Sequence, residues 1–240
     1  MSASAESGKP MLELHGAKTG NCLRAAIGLS EAGLLYKIRH VDLGRGEQRG
    51  QSHLALNPAG KVPVLVARDS GNTQAFVLTQ SSAILFYADA AAPGRILPRH
   101  LDRARIRALE AFFYFTSDVI SLNGAAFSLR GREFSGAAAT LTERYLAAIV
   151  ASERFLIDNE FMGGASFSIA DIAAFTVISA VTRHLPWNQL PRLAAWHDRI
   201  GRRPAVQTGM TAFDDKRETV KQAKAVAERR NKQRTTSQGA

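Results

Sequence analysis

The hydrophobic residues in the first ninety positions change their spacing from one segment to the next, which predicts alternating strands and helices. Leu23 and Ile27 recur at the spacing of one helix face, whereas residues 36–41 alternate as in a half-buried strand. Gly71 and Asn72 lie between two apolar runs and suit the turn of a β-hairpin. The predicted order is βαβαββα. Its strands are 11–15, 36–41, 62–67 and 75–78, and its helices are 21–32, 48–56 and 80–90.

This order predicts a mixed four-stranded sheet, with parallel pairing where a helix crosses over and antiparallel pairing at the hairpin. Residues 91–98 then combine two prolines with a glycine and predict a linker. Beyond the linker, apolar residues recur at spacings of three and four, which predicts helices and no strand. The predicted helices are 101–121, 137–159, 169–183 and 190–201. The chain therefore joins an α/β domain to an all-α helical bundle domain.

The breaks in the pattern divide the chain into five expected segments. The first ten residues are small and polar, and the last ten hold too few apolar side chains to offset the entropy lost on ordering. The segments are a disordered N-terminus at 1–10, an α/β domain at 11–90, a linker at 91–99, a helical domain at 100–213 and a basic tail at 214–240, part of it helical over 214–230.

Composition narrows the class of protein. A chain of 240 residues with 45% hydrophobic positions can bury a core in each of two modest domains. Cys22 is the single cysteine, and residues 1–10 lack the basic start and apolar run of a secretory signal. The apolar stretch 169–181 contains Asp171 and falls short of the roughly 20 residues of a membrane span. We expect a cytoplasmic protein without a membrane partner.

The net charge of +10 suggests a nucleic-acid partner, but the location of the charge argues against one. Residues 216–240 contain eight Lys or Arg and two Glu, a net charge of +6, so the preceding 215 residues carry only +4. The six histidines show no metal-ligand spacing, and no glycine-rich phosphate loop follows a predicted strand. We therefore expect no nucleic acid, no metal and no nucleotide.

Four short blocks resemble the cytosolic glutathione transferase family. The blocks are NPAGKVPVL at 57–65, LTQSSAI at 78–84, SIAD at 168–171 and RRPAV at 202–206. Their spacing matches the family over residues 12–210, and the bacterial beta and nu classes are the most similar. The resemblance implies a thioredoxin-like domain that binds glutathione, a helical domain that binds the second substrate, and a homodimer.

The resemblance implies that a cis peptide bond joins Val62 to Pro63, so that the Val62 N–H and C=O pair with the cysteinyl part of glutathione. Taken alone, Pro63 suits an ordinary turn as well. Gln80 and Ser81 open a predicted helix, whose free N–H groups and dipole favour an anion. By resemblance, Ser81 binds the γ-glutamyl carboxylate. Gln80 contacts the γ-glutamyl amino group, where many relatives carry a carboxylate.

Three further residues are expected to contact glutathione by resemblance alone. Lys61 lies where it would reach the glycyl carboxylate. Gln48 and Arg144 match residues that approach glutathione in the nu class. Lys61 and Gln48 are equally compatible with a solvated surface position, and an exposed arginine on a long helix, such as Arg144, is usually solvated.

The reactive loop is expected at residues 19–22, between the first strand and the first helix. A free thiol has a pKa of ~8.5, and lowering it by about two units requires about 2.7 kcal/mol, which two hydrogen bonds to the thiolate supply. Nu-class proteins resemble this chain at Thr19 and Asn21, which implies that both donate to the sulfur. Beta-class proteins have a cysteine in place of Asn21. Two roles are therefore open for the neighbouring Cys22. It is either a catalytic thiol that has taken over the role of the beta-class cysteine or a buried, unreactive side chain.

The helical domain is expected to supply the second-substrate pocket. Phe113 and Tyr114 belong to the aromatic run FFYF, which covers more than one helix face, so part of the run must face the core. The rest would line an apolar pocket together with Asp118. Ser168 and Asp171 are expected to form a structural capping box at a helix start.

Three functions agree with these residues. The leading one is a glutathione transferase that presents the thiolate of glutathione to an apolar electrophile or to a disulfide. The pair Thr19 and Asn21 somewhat favours the second chemistry, a glutathione-dependent disulfide reductase. The third is a non-catalytic binding protein that retains the fold.

Overall fold

The computed structural model describes residues 11–68, 74–131 and 134–214, which fall into two compact units. One unit contains the chain up to Phe86 and the segment from Thr208 onward, and the other is Tyr87–Gln207. The expected disordered start at 1–10, the hairpin turn at 69–72 and the basic tail beyond residue 214 lie outside the described residues.

The first unit is built on a mixed sheet. Its strands in the described residues are β1 (Met11–Gly16), β2 (Tyr36–His40), β3 (Val64–Arg68) and β4 (Phe76–Leu78), in the spatial order β2-β1-β3-β4. β1 pairs with β2 in parallel, while β3 is antiparallel to both of its neighbours, β1 and β4. The expected four-stranded mixed sheet is therefore confirmed.

Helices of the first unit follow the predicted order. They are α1 (Gly20–Glu31), α2 (Gln51–Leu54) and α3 (Ser81–Ala91), and the boundary between the units falls inside α3. Thr19 caps α1, because its hydroxyl oxygen accepts the N–H of Cys22 at 3.4 Å. The helix predicted at 48–56 is a 3₁₀ turn, Glu47–Arg49, followed by the single turn of α2.

The described residues beyond α3 form helices and no further strand of the sheet, as expected. The α-helices are α4 (Arg103–Tyr114), α5 (Ser121–Leu129), α6 (Ser135–Ala151), α7 (Ile169–Ser179), α8 (Pro191–Gly201) and α9 (Pro204–Met210). The helix predicted at 101–121 continues further than expected, because a π-helical turn, Phe115–Ile120, joins α4 to α5. α9 was not predicted. In the described ranges, no helix is both long and apolar enough to cross a bilayer.

The capping box expected at the start of α7 is present. Asp171 accepts the Ser168 N–H at 2.8 Å, and the Ser168 hydroxyl oxygen accepts the Ala170 N–H at 3.2 Å. The other carboxylate oxygen of Asp171 accepts the Met162 N–H at 2.9 Å and the Trp196 indole N–H at 2.8 Å. Asp171 therefore also joins α7 to α8 and to the preceding loop, a role that the sequence did not indicate.

The expected helical domain at 100–213 differs from the compact unit at its C-terminal end, because residues from Thr208 belong with the first unit. The Phe213 ring meets the His40 ring edge-on, with 5.9 Å between centroids. Gly209 in α9 approaches the main chain of α1 so closely that a Cβ would lie 2.6 Å from the Ile27 nitrogen. The first unit is thus completed by the end of the described chain.

This close approach predicts that Gly209→Ala destabilises the protein by about 1–3 kcal/mol, since one backbone must shift to admit the methyl group. Gly124→Ala in α5 is the matched control, because among the described residues no neighbouring group lies within 4 Å of the place that its Cβ would occupy. There the better helix propensity of alanine should stabilise by about 0.5–1 kcal/mol. Urea unfolding of both variants measures the effects, and equal changes would contradict the packing argument.

The buried Asp171 predicts a pH-dependent stability. Burial raises the pKa of its carboxyl from 3.8 to about 6, against the hydrogen bonds that lower it. The folded protein therefore holds this proton more tightly than the unfolded chain, so the contribution of Asp171 to the free energy of unfolding falls as pH rises from about 4 to about 6. Relative to Asp171→Asn, wild-type stability should drop by up to about 3 kcal/mol across this window. Urea unfolding measures the difference, and a rise with pH would contradict it.

Candidate functional site

Strand register brings three segments together at one end of the sheet in the first unit. His15 is opposite Val64 in the antiparallel β1–β3 pair, so residues that follow β1 lie beside residues that precede β3. Leu65 is opposite Leu78 in the antiparallel β3–β4 pair, so residues that follow β4 approach the same end. The converging segments are 17–21, 61–63 and 79–81.

A single arginine connects two of these segments. One terminal nitrogen of Arg24 donates to the Asn21 amide oxygen at 2.6 Å and to the Ser81 hydroxyl oxygen at 3.0 Å. Arg24 lies one turn after Asn21 on α1, and Ser81 begins α3, 57 residues further along the chain. The starts of α1 and α3 are therefore joined through one guanidinium group.

Arg24 is almost completely buried, with 3% of its surface exposed. No carboxylate of the described ranges forms an ion pair with it. Burial lowers the pKa of the guanidinium to about 10, which leaves it charged at neutral pH. Its Nε atom is buried and has no hydrogen-bond partner in the part of the chain that the structure describes. The site thus contains a fixed positive charge.

The reactive loop places its three expected residues in different surroundings. Asn21 is exposed at the start of α1, and Thr19 is partly exposed. Cys22 has no exposed surface, and burial raises the pKa of its thiol although a hydrogen bond to Thr19 lowers it. A Cβ at Gly16 would lie only 2.7 Å from the Cys22 sulfur. This geometry suits the structural role for Cys22.

The main chain of the loop before β3 is bonded by two buried side chains. The peptide bond between Val62 and Pro63 is cis, as expected. The carbonyl oxygen of Lys61 contacts the His53 Nε2 at 3.0 Å and accepts the Asn57 amide N–H at 2.7 Å. Within the described residues, the Val62 N–H and C=O form no hydrogen bond with another main-chain group. The Lys61 side chain is exposed.

Gln80 belongs to segment 79–81, and Gln48 lies close to the loop before β3. Gly60 has a positive φ of +60°, and a Cβ there would lie 3.2 Å from the Gln48 carbonyl oxygen, so the 3₁₀ turn adjoins the loop before β3. The side-chain oxygen of Gln48 is buried without a hydrogen-bond partner among the described residues. Gln80 is exposed immediately before α3.

The other expected site residues belong to the second unit. Phe113 is 55% exposed, whereas its neighbours Phe112 and Phe115 are buried, so the aromatic run divides between core and surface as expected. The Tyr114 hydroxyl donates to the Ala148 carbonyl oxygen at 2.6 Å. Two further residues are exposed, Asp118 in the π-helical turn and Arg144 on α6.

Sequence reasoning gave no role to Arg24, His53 and Asn57, which are buried polar residues of the first unit that hydrogen-bond within or beside the converging segments. The sequence did contain an indication of Arg24, because it is a charged residue among the apolar positions of a predicted helix, three residues after Asn21. Asn57 began a recognised block without an assigned role. His53 carried no signal, since its contact with Lys61 depends on the loop conformation.

In the described ranges, no group of three or more His, Cys, Asp or Glu side chains is placed to hold a metal ion.

Comparison with known proteins gives the family. The family model described as the glutathione S-transferase N-terminal domain matches residues 20–91. The chain is 31% identical over 206 residues to disulfide-bond oxidoreductase YfcG of Escherichia coli strain K12, which covers 81% of this chain and 92% of that protein. It is 32% identical over 209 residues to glutathione S-transferase 3 of Zea mays, covering 80% and 90% of the two chains.

A solved structure agrees in fold. A glutathione transferase family member from Pseudomonas fluorescens, crystallised with two glutathione bound, superimposes with a TM-score of 0.74 at 21% identity, over 83% of this chain and 92% of that one. Together with the sequence relatives, this fold defines the class: the protein belongs to the glutathione S-transferase family.

The burial of Cys22 predicts a slow thiol. Because Cys22 is the single cysteine of the chain, a thiol-disulfide reagent such as dithionitrobenzoate reports on it alone. At neutral pH we expect the native protein to react at least about tenfold more slowly than the same protein in guanidinium, since the thiol is buried and its pKa is raised. Equal rates would show that Cys22 is reactive in the folded protein.

Proposed function

We propose that this protein is an enzyme that binds glutathione at the end of the sheet where segments 17–21, 61–63 and 79–81 converge. One observation carries the proposal. Asn21 and Ser81 were expected to contact two different groups of glutathione, the cysteinyl sulfur and the γ-glutamyl carboxylate, and both hydrogen-bond to Arg24, at 2.6 and 3.0 Å. Two separately predicted contacts therefore lie a few ångströms apart around a buried positive charge.

Each part of the tripeptide has a partner of suitable chemistry in this arrangement. The Val62 N–H and C=O pair with the cysteinyl residue in the manner of an added antiparallel strand. Ser81 and the start of α3 bind the γ-glutamyl carboxylate, where a helix N-terminus favours an anion. Thr19 and Asn21 donate to the sulfur at the start of α1. Gln48, Lys61 and Gln80 complete the set of glutathione contacts.

The bound thiolate serves two reactions. In conjugation, it attacks an electrophilic carbon of an apolar compound, forms a thioether and displaces the leaving group with its electron pair, as chloride in the case of an aryl chloride. In disulfide reduction, it attacks one sulfur of a substrate disulfide, forms a mixed disulfide and releases the other sulfur as a thiolate, which takes up a proton. A second glutathione thiolate then attacks the glutathione sulfur of the mixed disulfide. This step releases the second substrate thiol and leaves glutathione disulfide as the oxidised product.

Disulfide reduction is the second candidate function, and two observations favour it. The E. coli relative that is 31% identical over most of its length is named as a disulfide-bond oxidoreductase. Thr19 and Asn21 also supply donors to the sulfur without an additional protein thiol, which agrees with the burial of Cys22. Both reactions need the same thiolate, so the choice depends on the second substrate.

We assign Phe113, Tyr114 and Asp118 to the binding of the second substrate and Arg144 to glutathione. The exposed aromatic surface of Phe113 supports an apolar substrate. The homodimer implied by the family resemblance and the cytoplasmic location expected from the composition also remain predictions.

The thiolate proposal predicts the effect of Asn21→Ala and Thr19→Val. Each removes one donor to the sulfur, so each should raise the pKa of the bound glutathione thiol toward ~8.5 and lower kcat/KM at neutral pH by about 10–100-fold. Thiolate absorbance as a function of pH measures the pKa. Asn188→Ala is the matched control, because Asn188 belongs to the second unit and lies outside the three converging segments.

Assays with chlorodinitrobenzene and with hydroxyethyl disulfide separate the two reactions in the same proteins. If glutathione binds without turnover of either substrate, the non-catalytic alternative is favoured. If Asn21→Ala and Thr19→Val leave every rate and the thiol pKa unchanged, the thiolate proposal is wrong.

A further inference from the structure

Arg24 is buried at a position where a positive charge is unfavourable for folding. Moving an ion from water into a protein interior costs several kcal/mol unless a counter-charge or hydrogen bonds compensate. In the described ranges, Arg24 has two hydrogen bonds from one nitrogen, a buried Nε without a partner, and no carboxylate in ion-pair contact. The chain itself therefore compensates this charge only in part.

The hydrogen bonds of Arg24 determine the direction of its neighbours' donors. A guanidinium group donates and never accepts, so the Asn21 amide must turn its oxygen toward Arg24. The NH₂ group of Asn21 then points away from Arg24 and is left to donate elsewhere. By the same reasoning, the Ser81 oxygen accepts from Arg24, and its O–H proton is left for another acceptor.

Both neighbours consequently act as donors beside a fixed positive charge, which is an arrangement that selects anions. Glutathione bound as proposed above presents two anions at these points, its thiolate at Asn21 and its γ-glutamyl carboxylate at Ser81. A neutral side chain at position 24 would leave the Asn21 amide free to turn its oxygen toward the sulfur, which repels a thiolate.

We infer that Arg24 is a positioning residue of the glutathione site, an inference that rests on the proposed function. Arg24 orients Asn21 and Ser81 as donors. Its buried charge also stabilises the thiolate and the γ-glutamyl carboxylate. Arg24 acts through both neighbours at once, so its loss should affect two separable properties. One is the pKa of the bound thiol. The other is the affinity for the γ-glutamyl carboxylate.

The test compares Arg24→Met and Arg24→Lys with the unchanged protein. Arg24→Met should raise the pKa of the bound glutathione thiol by about one unit, measured by thiolate absorbance against pH. It should also weaken binding of S-methylglutathione, which has the carboxylate but no thiol, by about tenfold in calorimetry. Arg24→Lys keeps the charge and should recover part of both effects. Lys37→Met removes an exposed charge of β2 and should change neither.

The melting temperature of Arg24→Met separates the positioning role from a purely structural role. Replacing an incompletely compensated buried ion by an apolar side chain is often neutral or stabilising, so Arg24→Met should keep or raise the melting temperature while it weakens function. The pKa of a bound thiol does not depend on the folded fraction. A lower melting temperature with an unchanged thiol pKa and unchanged S-methylglutathione affinity per folded molecule would overturn the inference.

The unchanged protein supplies a second measurement in case Arg24→Met does not fold. The Nε–H resonance of Arg24 should shift when S-methylglutathione is added, and a resonance that stays in place at saturation would also overturn the inference. If the unchanged protein binds no glutathione, or binds it without lowering the thiol pKa, the proposed function itself fails. If glutathione binds with a lowered pKa that Arg24→Met retains, only the role of Arg24 is wrong.

Discussion

The antiparallel pairing of β3 with both β1 and β4 is the constraint on which the site depends. It places the end of β1, the start of β3 and the end of β4 at the same edge, so that the turn into α1, the loop at Val62-Pro63 and the start of α3 meet there. Both helix N-termini bring the positive ends of their dipoles to this edge. A shift of one residue in either register would move every β3 side chain to the opposite face and separate these segments.

Two buried charged residues, Asp171 and Arg24, differ in how far hydrogen bonds compensate the free-energy cost of burying their charge. Asp171 is fully buried, yet its two oxygens accept N–H groups from Ser168, Met162 and Trp196, so the carboxylate is largely satisfied within the second unit. Arg24 is buried to a similar degree but keeps an unpartnered Nε and has no acidic partner among the described residues. The hydrogen bonds of Asp171 join α7 to α8 and to the preceding loop. The charge of Arg24 is compensated only in part within the described residues.

Much of the first unit could be read from the sequence because its signals are local. The alternation at 36–41, the apolar face of α1 and the block around Pro63 depend on residues within one element. The capping box of Ser168 and Asp171 is also local, since its partners are three residues apart. The π-helical turn in the aromatic run and the return of residues 208–214 to the first unit had no such signal. Both depend on how distant surfaces fit.

The sequence by itself determined the order of the elements, the family resemblance and the residues expected to contact glutathione, because these follow from side-chain chemistry and spacing along the chain. Only the tertiary structure decided which of those residues are exposed and how they are oriented. Cys22 and Asn21 are neighbours in sequence, but helix geometry turns one into the core and the other to the surface. The link from Asn21 through Arg24 to Ser81 spans two helices, and contact between such distant positions exists only once the sheet has brought the helices together.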